Sequence, residues 1–158
     1  THITSGGLGT MGFAVPAAMG VTLARPDEPV WAISGDGGFQ MNLQELATVV
    51  QEGVPLRIAV IDNGHLGMVR QWQERFYDGR YSAATLSGPD FVALAQAFGI
   101  AALRVDRREQ LDAALDLAVA TDGPVLVSLK VAPGHNVYPM VPAGAALDEM
   151  IVGPVPVA

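Results

Sequence analysis

The sequence contains no cysteine, which excludes disulfides and thiolate metal sites and fits a cytosolic chain. Positive charge is scarce: nine Lys and Arg stand against sixteen Asp and Glu, for a formal charge of −7. No basic cluster is left to neutralise a phosphate backbone, so nucleic acid is excluded as a partner. No apolar run reaches the ~18 residues that a membrane span requires, and nothing reads as a signal peptide, so no membrane partner is expected. An initiator methionine is also missing. Thr1-His2-Ile3 leads almost at once into a glycine-rich loop, and the expectation is a piece cut from a longer polypeptide.

Half of the 158 residues are hydrophobic and only 16% are charged, while aromatics reach just 6%. A chain of this length fits one domain, residues 1–158, and buries roughly 70% of its unfolded surface. Abundant Ala, Val, Leu and Gly suit tightly packed layers of helix on sheet.

Two short apolar runs, 30–35 (VWAISG) and 56–62 (LRIAVID), are bounded by Pro or Gly, as buried parallel strands should be. Between them Phe39, Leu43, Leu46, Ala47 and Val50 fall at helical spacing. Gly53 stops that helix and Pro55 prevents its continuation. The result is a βαβ unit with a right-handed crossover. Downstream, Phe91, Leu94, Ala95 and Phe98 mark a helix closed by Gly99, and a strand follows at 100–105. Asp106 with Glu109 reads as a capping box. Leu111, Ala114, Leu115 and Ala118 give a further helix, ended at Gly123-Pro124, before a central strand at 124–131. Residues 11–24 read as a helix of small residues, with Pro16 near its first turn. The tail from 133 onward, rich in Pro and Gly, is expected to wrap the surface. The fold class is α/β, an open, mostly parallel sheet with helices on both faces.

Three glycine sites carry the chemistry. The first, Gly7-Leu8-Gly9-Thr10-Met11-Gly12, is a literal G-x-G-x-x-G. A dinucleotide fingerprint needs a strand directly before it and an acidic residue ending the next strand. Here only five residues precede Gly6, and Asp27 and Glu28 lie in a turn before the next strand. The dinucleotide reading is therefore weak, and a loop that simply packs a helix closely stays open beside it.

The second site, "SGDGGFQMN" (34–42), follows the first strand directly. At that edge of an open α/β sheet ligands bind, and the N–H groups of Gly37 and Gly38 are free to face a phosphate. Asp36 would repel a bare diphosphate, so a divalent cation between them is the consistent arrangement. The third site, "DNGHLG" (62–67), follows the second strand, and the βαβ unit brings Asn63 to the same edge. Asp36 carboxylate, Asn63 amide oxygen, the main-chain carbonyl of residue 65, phosphate oxygens and water make the oxygen octahedron that Mg²⁺ demands. A polar loop with no ligand is the alternative reading of that segment.

Gly35-Asp36-Gly37 followed by Asp62-Asn63 resembles the thiamin diphosphate motif, usually written G-D-G…N-N. Position 62 departs from it, with Asp for Asn, while the metal-ligating Asn stands at 63. "TSGGLGTMGFAVPAAMG" (4–20), "SGDGGFQMNLQELATVV" (34–50), "HLGMVRQWQERFY" (65–77) and "NVYPMVPAGAALDEMI" (136–151) are similar to the acetolactate synthase (acetohydroxyacid synthase) large-subunit family over essentially the whole chain. The "GMVRQWQERFY" segment is what points to this family over other thiamin-dependent decarboxylases and carboligases, which stand as the alternative.

The resemblance implies a thiamin diphosphate-binding fold, Rossmann-like and three-layered. The main chain around Gly9 and Met11 would hold the aminopyrimidine, with the Met11 side chain wedged beneath it so that the reacting atoms meet in a preset geometry. Gly35, Asp36, Gly37, Gly38, Asn63, His65, Leu66, Gly67 and Met68 would complete the cofactor site. Asp36, Asn63 and the His65 backbone carbonyl would hold Mg²⁺. Met68, Val69 and Trp72, on a helix after the metal loop, would line the substrate channel, although core packing is an alternative for Met11 and Trp72. His2 and His135 read as surface residues.

The implied reaction decarboxylates pyruvate and joins its two-carbon remainder to a second 2-oxo acid, giving acetolactate or acetohydroxybutyrate, in branched-chain amino acid biosynthesis in the bacterial cytoplasm. The family's activating Glu lies in an N-terminal pyrimidine-binding domain of a partner subunit and FAD in a middle domain, so this chain supplies no catalytic residue. Alone it is expected to be inactive and prone to form homo-oligomers; a regulatory subunit is a further possible partner. A non-catalytic interaction domain is the remaining rival.

Overall fold

The computed structural model describes residues 1–154. Four strands form one sheet: β1 (Trp31–Gly35), β2 (Arg57–Asp62), β3 (Ala101–Val105) and β4 (Val125–Lys130), in the order β1-β2-β4-β3. Every pairing is parallel. Among the described residues six α-helices accompany them, besides two short 3-10 turns: α1 (Ala14–Ala24), α2 (Asp36–Gln40), α3 (Glu45–Gln51), α4 (Gly67–Phe76), α5 (Phe91–Ala97) and α6 (Leu111–Ala120).

The central strands β2 and β4 behave as doubly covered parallel strands do, whereas the edge strand β1 is fully covered on one face only and leaves Ile33 67% exposed on the other. Ala32, Ile58, Val60 and Leu126 face one layer, packed by Val15 and Met19 of α1, Leu46 and Val49 of α3, and Phe91 and Ala95 of α5. Val105, Val125 and Val127 face the other, packed by Ala114 and Ala118 of α6. Helices therefore lie on both faces, as the alternation of elements predicts. Phe39 of α2 locks onto Phe91 edge to face, with centroids 5.6 Å apart. Burying aromatic side chains of this kind stabilises the fold by roughly 1.5–3 kcal/mol each.

Three local expectations need correction. The helix predicted over 11–24 starts only at Ala14, because Gly12 has φ +89° and residues 5–12 form a loop closed by Ser5. The helix expected from Phe39 to Val50 is two helices, α2 and α3, separated by turns at 41–44. Phe39, Leu43 and Leu46 enter one core across the break, but Ala47 and Val50 of the predicted face are exposed and Val49 is buried in their place. The capping box predicted for Asp106 and Glu109 is displaced by one residue: Gln110 Oε1 accepts from the backbone N–H groups of Asp106 and Arg107. Elsewhere the stop signals work as expected, with Gly53, Gly99 and Gly123 all at positive φ after α3, α5 and α6. The tail runs mostly exposed over the surface and is pinned by a bridge between Met140 and Ile151.

Candidate functional site

The β1–β2 register sets Gly35 level with Ile61, so Asp36 and Asp62 leave the sheet side by side. Asp36 is only 4% exposed and stands at the first position of α2. Its Oδ1 accepts from Gly37 N at 2.9 Å, and its Oδ2 accepts from Gly64 N at 2.8 Å, on the neighbouring strand's loop. Burial pushes this carboxyl above the usual range; the two backbone donors pull it down, and the nearby Asp62 carboxyl pushes it up again.

Asp62 itself is compensated. Its Oδ2 receives Lys130 Nζ at 3.1 Å, and its Oδ1 shares the Gly64 N–H at 3.1 Å. Asn63 Oδ1 accepts from His65 N at 2.9 Å, while the His65 ring lies 3.0 Å from the Asn63 main-chain oxygen. The His65 ring is thus engaged locally. His2 and His135 are exposed.

The loop between β2 and α4 is held open by a second segment. Leu66 N donates to Ala84 O and Leu86 N to Gly64 O, with a bridge between His65 and Thr85. Leu86 then reaches the glycine pair: a Cβ on Gly37 would lie 2.8 Å from Leu66 Cδ2, 3.1 Å from Leu86 Cδ1 and 3.2 Å from Met11 Cε. Gly37 is therefore approached closely by the tips of three flexible side chains, one of them Met11. Met11 is 43% exposed among the described residues.

An open groove of about 1120 Å³ runs along α1 and the edge strand β1, from Arg25 and Trp31 up to these strand tips. Gly9 and Met11 line it from the first loop, Gly35 to Gly38 from the β1 tip, and Asn63 and His65 to Val69 from the β2 tip. All the residues expected to hold cofactor or metal are thus brought together. Trp72 lines an adjoining cavity of about 650 Å³ with Met68 and Val69. It is 43% exposed among the described residues and packs edge to face on Phe76. No strand lies between residue 1 and the G-x-G-x-x-G loop, and the first element after it is α1.

A profile of the family "Thiamine pyrophosphate enzyme, C-terminal TPP binding domain" matches residues 1–129. The chain belongs to that family. The similarity to curated proteins is consistent with it. The chain is 52% identical over 150 residues to the acetolactate synthase isozyme 2 large subunit of Escherichia coli (strain K12), covering 94% of this chain and 27% of that protein. It is 51% identical over 156 residues to the acetolactate synthase of Mycobacterium avium, covering 95% and 25%. With the mitochondrial acetolactate synthase catalytic subunit of Saccharomyces cerevisiae it shares 49% over 151 residues, covering 96% and 22%. The chain thus spans about a quarter of the length of the curated relatives it matches.

The oxygen atoms at the two strand tips that could meet a metal are the buried Asp36 carboxylate, the Asn63 amide oxygen and main-chain carbonyls, all hard oxygen donors. No group of three or more His, Cys, Asp or Glu that could hold a metal occurs among the described residues. A buried carboxylate beside a second carboxyl, with ligands too few to enclose an ion, fits a Mg²⁺ whose shell is completed by a diphosphate. No helix among the described residues is long and apolar enough to cross a membrane.

Sequence reasoning missed three features. The 82–88 segment that props the metal loop carries no periodic signal. The Lys130–Asp62 pair was accessible in principle, since the two residues are register partners on β4 and β2. The contacts between α4 and the tail had no local signature at all, because they join positions more than sixty residues apart.

Proposed function

We propose that this chain is the C-terminal domain, residues 1–158, of a longer acetolactate synthase large subunit, taking pyruvate as donor and a second 2-oxo acid as acceptor. The observation that carries this reading is the Asp36 carboxylate: buried at the β1 tip, it bonds across to the β2-tip loop inside a groove lined by Gly9 and Met11. Similarity of about half the residues to acetolactate synthases across nearly the whole chain supports the specific enzyme over other thiamin-dependent carboligases.

In this reading Asp36 and Asn63 hold Mg²⁺ together with the His65 carbonyl, and the Gly38 backbone faces the diphosphate; the Gly37 N–H, expected to be free for it, is instead taken up by Asp36 Oδ1. Met11 fixes the angle at which the cofactor sits, and Leu66 and Leu86 exclude water beside it. Bound thiamin diphosphate supplies the carbon nucleophile and the electron sink for decarboxylation and carboligation. Met68, Val69 and Trp72 give the acceptor an apolar wall. The activating Glu, the pyrimidine-binding domain of a partner subunit and an FAD site belong to the rest of the enzyme, which works as a homo-oligomer in the bacterial cytoplasm, open to a regulatory subunit, in branched-chain amino acid biosynthesis.

Titration calorimetry with thiamin diphosphate, with and without Mg²⁺, tests the site. Binding should require Mg²⁺ and should vanish in Asp36→Ala. Equal binding by Asp36→Ala, or binding of NAD in its place, overturns the reading. The 158-residue chain alone should form no acetolactate from pyruvate, and measurable product would refute the expected division of the site between subunits.

A further inference from the structure

Helix α4 stands apart from the packed layers: among the described residues no strand and no other helix packs extensively against it. Its partner is the tail. Gln71, at 1% exposure, is the most deeply buried side chain of the helix. Its Nε2 donates to Val137 O at 2.9 Å, and its Oε1 accepts from Val137 N at 2.7 Å. Nε2 also lies 3.2 Å from Met140 Sδ. One amide side chain therefore satisfies both backbone groups of a single residue, as a neighbouring strand would. One turn on, Glu74 Oε1 accepts from Asn136 Nδ2 at 2.9 Å, and Arg75 donates to the Tyr138 hydroxyl.

Positions 71, 74 and 75 share one helical face. Val69, Trp72 and Phe76 lie on another, with Met68 between, and it is Met68, Val69 and Trp72 that border the cavities. Rotating α4 to break the tail contacts would turn those side chains with it. A packing role alone would be met by an aliphatic residue; the paired donor and acceptor fix an angle as well as a distance.

We propose that Gln71 is a positioning residue which, by clamping Val137, sets the face that α4 presents to the second 2-oxo acid and so the choice between acceptors. The inference rests on the acetolactate synthase reading. Its test uses the full-length enzyme given pyruvate and 2-oxobutyrate together, with the ratio of acetohydroxybutyrate to acetolactate as readout. In Gln71→Leu the ratio should shift by about threefold or more, a fraction of what one methylene can contribute to discrimination in an apolar pocket. Thiamin diphosphate affinity should stay within about twofold, since the clamp and the metal loop do not share partners. Gln71→Glu, which keeps the acceptor for Val137 N, should fall between. Asn136→Ala should move the ratio in the same direction, and it decides the matter if Gln71→Leu does not fold. An unchanged ratio in the folded variant, or a ratio that moves only in step with lost cofactor affinity, overturns the proposal while leaving the enzyme's identity standing. A wild-type enzyme that forms neither product overturns both.

Discussion

Replacing Gly12 by Ala tests how the first loop is locked onto the rest of the site. Gly12 has φ +89°, and a Cβ built there would lie 2.3 Å from Asn42 Oδ1 and 3.2 Å from Met41 Cβ. Two costs follow. A non-glycine residue held in that backbone region costs on the order of 1–3 kcal/mol, and overpacking against a close neighbour costs about 1–3 kcal/mol more. Asn42 Oδ1 is the tip of a flexible side chain and gives way partly, so the expected sum is about 2–5 kcal/mol. Set against a typical domain stability of about 5–15 kcal/mol, that is a severe loss. At about 2–4 °C per kcal/mol for a chain of this size, Tm should fall by roughly 5–15 °C. Urea unfolding of the wild type, Gly12→Ala and Gly12→Ala/Asn42→Ala measures it directly. The double variant removes the atom in the way and should recover about 1–2 kcal/mol, leaving the backbone term behind. A single variant within about 0.5 kcal/mol of wild type would refute the argument. So would a double variant that recovers nothing. Because Gly12 follows Met11, the same substitution should also weaken thiamin diphosphate binding.

Phe39→Ala empties a fully buried site and loses the contact with Phe91, so it should cost about 3–5 kcal/mol in denaturant unfolding; a loss below about 1 kcal/mol would show that the cluster collapses around the gap. Asp90 caps α5 by accepting from Val92 N and Ala93 N, and with Arg104 these bonds hold its carboxyl below the usual range. A depressed folded value means stability that is present above the unfolded pKa of 3.8 and lost as pH falls through the folded one, so the Tm gap between wild type and Asp90→Ala should be full near neutrality and close in strong acid. Asp36 has the opposite sign: its raised value favours the fold at low pH and disfavours it as pH rises. Mg²⁺ with thiamin diphosphate should reverse that trend, raising Tm more at about pH 7 than at about pH 5, and Asp36→Ala should show no such increment in thermal scans.

The sheet was readable because each strand is a short apolar run between Pro or Gly, and each glycine stop sits where the backbone must take positive φ. The placement of Asp36 and Asn63 followed from one βαβ crossover, since parallel neighbours end at the same edge. Legibility failed where structure depends on partners distant in sequence. Nothing near Gln71 reveals that a buried amide will meet Val137, and nothing in "ATLS" (84–87) marks Leu86 as the third wall around Gly37. Periodicity misled at 39–50 for a related reason: two helices and the turn between them send Phe39, Leu43 and Leu46 into one core, which looks, in one dimension, like a single helix. The position of Met11 was inferred from resemblance rather than from pattern, and its half-exposed side chain against Gly37 has no counterpart in any helical period.

The level ending of β1 and β2 also dictates where this domain can accept changes in length. One residue inserted within either strand would raise its tip by about 3.3 Å and flip every side chain beyond the insertion to the opposite layer. Asp36 would then be parted from the Gly64 amide even though no residue near it had been altered. Extra residues in the 25–29 turn or after Gly53 leave that alignment untouched, so descendants of this chain should grow at the opposite rim of the sheet while the rim that carries Asp36 keeps its spacing.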